Sequence, residues 1–294
     1  MVKYLQRRGA DLDVTDVTGR TPLHYASMGR DSSLAELFLV DRTVPVDARD
    51  NHGWTPLHVA ARWASKVAIE TLLRRGADAN LPNMEGSTPL HLMCDERDSD
   101  LAEFFFKIND DIQQKVHVDA RDNKGYTPLH LALKKGQKKM AELLLSRGAN
   151  PNLANAEGST ALHVLCRYYH DVFDLIELLF KMSQEKHQPV QIDAQDNLGR
   201  TPLHWAVTSL LPDVGKILLD NGANLSSFVF PIESHFKERI EDYRRERIEL
   251  KLRMTAGALG VVENLEKGGF EMDSIGFYLT NLRNICLAAT HLNS

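Results

Sequence analysis

The phrase Thr-Pro-Leu-His, or Thr-Ala-Leu-His in one copy, recurs six times along this chain, at Thr21, Thr55, Thr88, Thr127, Thr160 and Thr201. Successive copies lie 34, 33, 39, 33 and 41 residues apart. That spacing is the length of a structural unit made of one turn and two helices, repeated end to end. A chain of this kind is a solenoid, an architecture suited to binding.

The chemistry of the phrase explains its recurrence. A threonine oxygen caps free backbone N–H groups of a new helix, and proline fits the first helical position, where its missing donor costs nothing. Leucine then faces the neighbouring repeat, and histidine bridges its ring nitrogens to hydroxyls or carbonyls of the adjoining turn. Upstream of each copy is a glycine (Gly19, Gly53, Gly86, Gly125, Gly158, Gly199), the residue that accepts the positive backbone angle of a tight turn. Downstream, a second apolar stretch closes at Gly76-Ala77-Asp78, Gly148-Ala149-Asn150 and Gly222-Ala223-Asn224.

Glycine, turn, Thr-Pro-Leu-His, short helix, Leu-Leu helix and Gly-Ala-Asp together resemble the ankyrin repeat, most completely from Thr55 to Asp78. The resemblance covers roughly residues 1 to 226. It implies an all-α repeat solenoid, a helix-turn-helix stack with β-turn or hairpin fingers, comprising a partial repeat at 1–13, six repeats at 14–226 and a divergent helical cap at 227–294.

A second period overlies the first. Asp47-Ala48-Arg49-Asp50-Asn51, Asp119-Ala120-Arg121-Asp122-Asn123 and Asp193-Ala194-Gln195-Asp196-Asn197 recur at 72 and 74 residues, so the duplicated unit is a pair of repeats. The repeats beginning at Thr88 and Thr160 place Cys94 and Cys166 where the family has alanine, which suits small buried packing residues. They also carry longer returns, Lys107 to Val118 and Lys181 to Ile192, expected to be surface loops.

Both ends depart from the pattern. Val2 to Asp13 reads as the second helix of a repeat whose first helix is absent. After Asn224, Phe228 to Ile232 replaces a glycine turn, and His235 to Arg253 reads as one charged amphipathic helix. Ala256 to Gly268 echoes a second helix with its closing glycine, making 228–273 a degenerate seventh repeat, and 275–292 reads as a further helix.

Several function classes find no support. The histidines of the six phrases are one per repeat and should not converge on a metal. No phosphate loop, nucleophile elbow or His-Glu-Xaa-Xaa-His pair occurs, so neither an enzyme nor a cofactor site is expected. Asp50, Asp122 and Asp196 are turn formers that bond nearby N–H groups. A formal charge of −5 offers no basic field for nucleic acid, and the lysines from Lys134 to Lys139 mark a solvated turn. No leader peptide, disulfide framework or stretch of about 20 apolar residues appears. The expected location is the cytoplasm with nuclear access, and a monomer is expected.

What remains is the surface left after stacking, which the resemblance assigns to a protein partner on the concave side. The corresponding residues are Asn51, His52, Trp54, Arg62 and Trp63; Asn123, Lys124, Tyr126, Lys134 and Lys135; and Asn197, Leu198 and Arg200. Trp54 and Trp63 are the leading anchors, because aromatic side chains carry much interface energy. Glu85, Asp95, Glu96, Glu157, Arg167 and Tyr168 lie between them, giving a surface of mixed charge. The resemblance also implies that Asn80 and Asn152 are candidate substrates for asparagine hydroxylation.

The primary expectation is a non-enzymatic scaffold or adaptor. An alternative arises because Phe230-Pro231-Ile232-Glu233 resembles the F-box-like tail of poxvirus-type ankyrin proteins, although the Leu-Pro opening is missing; it implies a substrate receptor of a cullin-type ubiquitin ligase. A third reading is the cytosolic ankyrin part of a membrane protein.

Overall fold

The computed structural model describes residues 14–29, 45–95, 99–168, 173–226, 228–231 and 250–269, which belong to two compact units, Met1–Asn150 and Pro151–Ser294. The described part of the first unit contains α1 (Pro22–Met28), α2 (Pro56–Arg62), α3 (Lys66–Arg74), α4 (Pro89–Asp95), α5 (Ser99–Asp111), α6 (Pro128–Lys134) and α7 (Lys138–Ser146). The second contains α8 (Ala161–Tyr168), α9 (Phe173–Glu185), α10 (Pro202–Thr208), α11 (Pro212–Asp220) and α12 (Leu250–Lys267). No strand occurs among the described residues, so the fingers are tight turns, and the fold is the expected all-helical repeat solenoid.

Within the first unit the short helices α1, α2, α4 and α6 pack in series, and α3, α5 and α7 form a second layer behind them. Leu57, Leu72, Leu90, Leu101, Phe105, Leu129 and Leu144 fill the space between the layers and are buried. In the second unit α8 packs on α10, α9 on α11, and α11 on α12.

The starts of the first helices α1, α2, α4, α6 and α8 are each fixed by one threonine and one histidine. Thr55 Oγ1 accepts the His58 N–H at 3.4 Å, while the Thr55 N–H donates to His58 Nδ1 at 3.1 Å. Histidine thus occupies the place of the glutamate in a capping box. With Nδ1 accepting, the ring proton belongs on Nε2, which lies 2.9 Å from the Ser87 carbonyl of the next turn. His24, His91 and His163 reach the carbonyls of Trp54, Tyr126 and Arg200 in the same way, at 2.9, 3.1 and 3.0 Å.

The repeated pentapeptide supplies three further ties. Asp47, Asp119 and Asp193 accept the N–H groups of Asp78, Asn150 and Asn224 at 3.2, 2.9 and 3.0 Å. Asp50, Asp122 and Asp196 each accept two N–H groups of their own turn, as expected. Asn51, Asn123 and Asn197 join fingers in pairs: their amides donate to Thr18, Glu85 and Glu157, and their side chains to Val17, Met84 and Ala156. The fingers approach so closely that a Cβ on Gly158 would sit 2.6 Å from the Asn197 nitrogen. Its φ of +78° also excludes most other residues.

The long returns correct one expectation. They are not loops throughout, because α5 continues to Asp111 and α9 to Glu185. Ile108 and Asn109, like Met182 and Ser183, are buried and extend each helix by a turn of packing. Beyond them the chain is held by Asn80, whose side chain donates to the Lys115 carbonyl at 2.8 Å and accepts the His117 N–H at 2.7 Å. Asn152 does the same with Pro189 and Gln191, at 2.9 and 2.8 Å.

At the C-terminal end, the described span of α12 includes Leu250 to Arg253, expected in a separate charged helix. The positive-φ glycine after the helix is Gly269 rather than Gly268. Contact with the preceding turn is close: a Cβ on Gly257 would meet the Leu210 carbonyl oxygen at 2.5 Å, and Asn264 donates to the Pro212 carbonyl at 2.9 Å. The half-repeat at Val2 to Asp13, residues 232–249, the helix expected at 275–292, Glu96 and Cys286 lie outside the described residues.

Candidate partner-binding surface

In the first unit, α2 and its flanking turns present the leading anchors. Trp63 follows the last turn of α2 and is 60% exposed. Its backbone is set firmly: the Trp63 N–H donates to Val59, and Ser65 Oγ ties the next residues to the Gly29 carbonyl at 2.7 Å. Arg62 beside it is exposed. Trp54 is half-buried, its N–H on Asp50, its carbonyl on His24 and its ring 6.1 Å from the His58 ring. His52 and Asn51 are exposed at the finger, where the His52 carbonyl receives the Met84 N–H.

Two repeats further on, Asn123, Lys124 and Lys135 are exposed and Lys134 is half-buried. Tyr126 is a correction. It is only 8% exposed, because its ring meets His130 edge-on at 5.9 Å and carries the Lys134 ammonium 5.1 Å above its centre. It supports Lys134 and offers little surface itself. Met84, exposed at the intervening finger, was missed; its signal is a large apolar residue where the other turns carry asparagine, alanine or valine.

In the second unit, Asn197 and Leu198 are exposed, and Arg200 is largely covered. Arg200 and Arg167 both lie against Trp205, 4.0 and 4.8 Å from its ring centre. Trp205 was also missed, although it adjoins the His204 of its phrase. Burial works against the charge of Asp196, yet the Arg200 N–H, the Trp205 indole, the Leu198 N–H and the Arg200 side chain hold its carboxyl below 3.8.

No His, Cys, Asp or Glu cluster able to hold a metal occurs among the described residues. Cys94 and Cys166 are fully buried, and burial pushes the Cys166 thiol far above its ordinary range, which makes it unreactive. Among the described residues no helix is long and apolar enough to cross a membrane. Phe230 and Pro231, the start of the F-box-like phrase, are buried.

The family model for ankyrin repeats (3 copies) matches residues 1–83, 65–155 and 149–228. The chain belongs to the ankyrin-repeat family. Ankyrin relatives include human Rabankyrin-5, 32% identical over 182 residues, covering 61% of this chain and 14% of that protein. Another is human transient receptor potential cation channel subfamily A member 1, 26% identical over 206 residues, covering 69% of this chain and 18% of that protein. Less than a fifth of either relative is therefore matched. Among solved structures, the ankyrin-repeat domain of Bcl-3, a member of the IkappaB protein family, superposes with a TM-score of 0.59 at 26% identity, covering 74% of this chain and 90% of that one. Ankyrin repeats are protein–protein interaction modules.

Proposed function

We propose that this chain is a non-enzymatic scaffold or adaptor that binds a partner protein through the turns and first helices of its repeats. The observation that carries the reading is Trp63, an indole left mostly exposed on a backbone fixed at both sides, with Arg62 adjoining. Tryptophan and arginine are enriched among the few residues that dominate interface energies. His52 and Asn51, Trp54, Met84, Lys124 and Lys135 extend this surface in the first unit. Expected compartments are the cytoplasm and nucleus.

The test is affinity capture with quantitative mass spectrometry, comparing the intact chain with a folded Trp63→Ala variant. A specific protein lost from the variant, at a cost of about 2 kcal/mol or more in a direct binding assay, supports the reading. Equal recovery of every captured protein sinks the assignment of Trp63. The ligase alternative has no favouring observation among the described residues, since its opening Phe230 and Pro231 are packed inside.

A further inference from the structure

Two stretches of the chain share the pattern Asp-Xaa-Xaa-Gly-Arg-Thr-Pro-Leu-His-aromatic-Ala, one from Asp16 to Ala26 and one from Asp196 to Ala206. In the second, aspartate, arginine and aromatic ring close on one another. Asp196 Oδ1 accepts the Leu198 and Arg200 N–H groups, and Oδ2 accepts both the Trp205 indole and Arg200 Nε at 3.0 Å. The Arg200 guanidinium lies 4.0 Å from the indole ring centre. The first stretch builds the same frame: Asp16 Oδ1 accepts the Thr18 and Arg20 N–H groups at 2.8 and 2.9 Å, and Oδ2 accepts the Tyr25 hydroxyl at 2.6 Å. Its arginine is engaged elsewhere. Arg20 gives Nε to Asp50 of the following finger at 3.2 Å, so Asp16 and Tyr25 stand together without the guanidinium that joins their counterparts.

Beside them lies a cavity of about 520 Å³, walled by Val14, Pro22, Tyr25 and Ala26, with Asp16 and Arg20 in its polar lining. Tyr25 is 49% exposed, so its ring can be reached. Charge decides what fits. Arg20 and Asp50 cancel as an ion pair, and burial lowers His24 and keeps it neutral. The Tyr25 hydroxyl, the Arg20 N–H and the Thr18 hydroxyl hold the Asp16 carboxyl well below the usual carboxylate range, so it is charged at neutral pH. The cavity therefore carries a net negative charge, which favours a cation. A guanidinium suits it better than a compact ammonium, because its flat face stacks on a ring while its edge donates to a carboxylate. Asp16 Oδ2 takes one bond, from a neutral hydroxyl, and a carboxylate oxygen has room for two.

We infer that Asp16 and Tyr25 form a receptor site for an arginine side chain of a protein partner. Its guanidinium stacks on Tyr25 and donates to Asp16 Oδ2, as Arg200 does on Trp205 and Asp196, and its aliphatic stem lies along Val14, Pro22 and Ala26. The inference rests on the reading of the chain as a protein-binding scaffold, and it assigns a chemical class to what the first unit recognises.

The test is selection of peptides from a random display library on the full-length chain, depleted against its Asp16→Asn variant, followed by titration of an enriched synthetic peptide. Asp16→Asn preserves the turn, since Asn83 and Asn155 make the same pair of bonds through Oδ1. Enriched sequences should share an arginine. Replacing it with citrulline, which keeps the shape and removes the charge, should weaken binding about tenfold or more, the scale of a lost charge-assisted hydrogen bond. On the Asp16→Asn chain the arginine and citrulline peptides should bind almost equally, a coupling that misfolding does not produce. Tyr25→Leu should weaken the arginine peptide severalfold by removing the stacking face.

An enriched set without arginine, a failure to obtain any Asp16-dependent peptide, or a citrulline penalty equal on both chains overturns the inference. So does a lysine peptide that binds as tightly as the arginine peptide. If Trp63→Ala abolishes capture of a natural partner while Asp16→Asn leaves it intact, this inference falls and the scaffold reading stands. If neither variant affects partner capture, the surface reading falls as well.

Discussion

The histidine at the third position of α1, α2, α4 and α8 does two jobs, and both require it to be neutral. Burial pushes His58 down to about 4 from 6.5 and leaves it uncharged, while Nδ1 accepts and Nε2 donates. His24, His91 and His163 are lowered for the same leading reason. A lowered histidine means the unfolded chain binds more protons, so stability rises with pH through the window between the two values. Urea unfolding should show full histidine stability above about pH 6.5 and progressive loss toward pH 4, His58 alone contributing at most about 3 kcal/mol. A flat profile across that window would contradict the assignment. The asparagines of the pentapeptide make a milder prediction: Asn123→Ala removes the side-chain bond to Met84 and should cost about 1 kcal/mol in denaturant unfolding. Ala64 has φ of 52°, a conformation costly for any residue with a Cβ, so Ala64→Gly should stabilise the fold by up to about 1 kcal/mol.

At the scale of elements, helix starts were legible in the sequence and some helix ends were not, for a physical reason. The first helix of a repeat starts on a particular cap, and Thr-Pro-Leu-His spells it out; an end in this chain depends on which side chains find a partner. Lys107, Asp110 and Asp111 look like loop residues, but they are the outward positions of a turn whose inward positions are Ile108 and Asn109. Ile108→Ala should therefore cost about 2–4 kcal/mol, as in a packed helix, instead of the few tenths expected of a surface loop. Past the helix, Asn80→Ala should accelerate hydrogen exchange at the His117 amide, whose acceptor it removes; unchanged exchange would contradict the bond. Tyr126 was misplaced because its finger position matches that of Trp54, and nothing in the local sequence shows that Lys134 lies over its ring. The stack on Trp205 was illegible because it joins side chains from Glu157, Arg167, Asp196 and Arg200, brought together only by folding.

On the scale of the whole molecule, the repeats bury their leucines and neutral histidines against one another, and the partner surface proposed above is what stacking leaves exposed. The buried cysteines and turn-forming aspartates are engaged in packing and turns, and ankyrin repeats are protein–protein interaction modules. Once capture has identified a partner, the most direct test is hydrogen–deuterium exchange of the full chain with and without it. The account predicts new protection in the fingers and first helices, including residues 51–63 and 123–135, with little change in α3, α5 and α7. Protection concentrated on α3, α5 and α7, with the fingers unchanged, would contradict it.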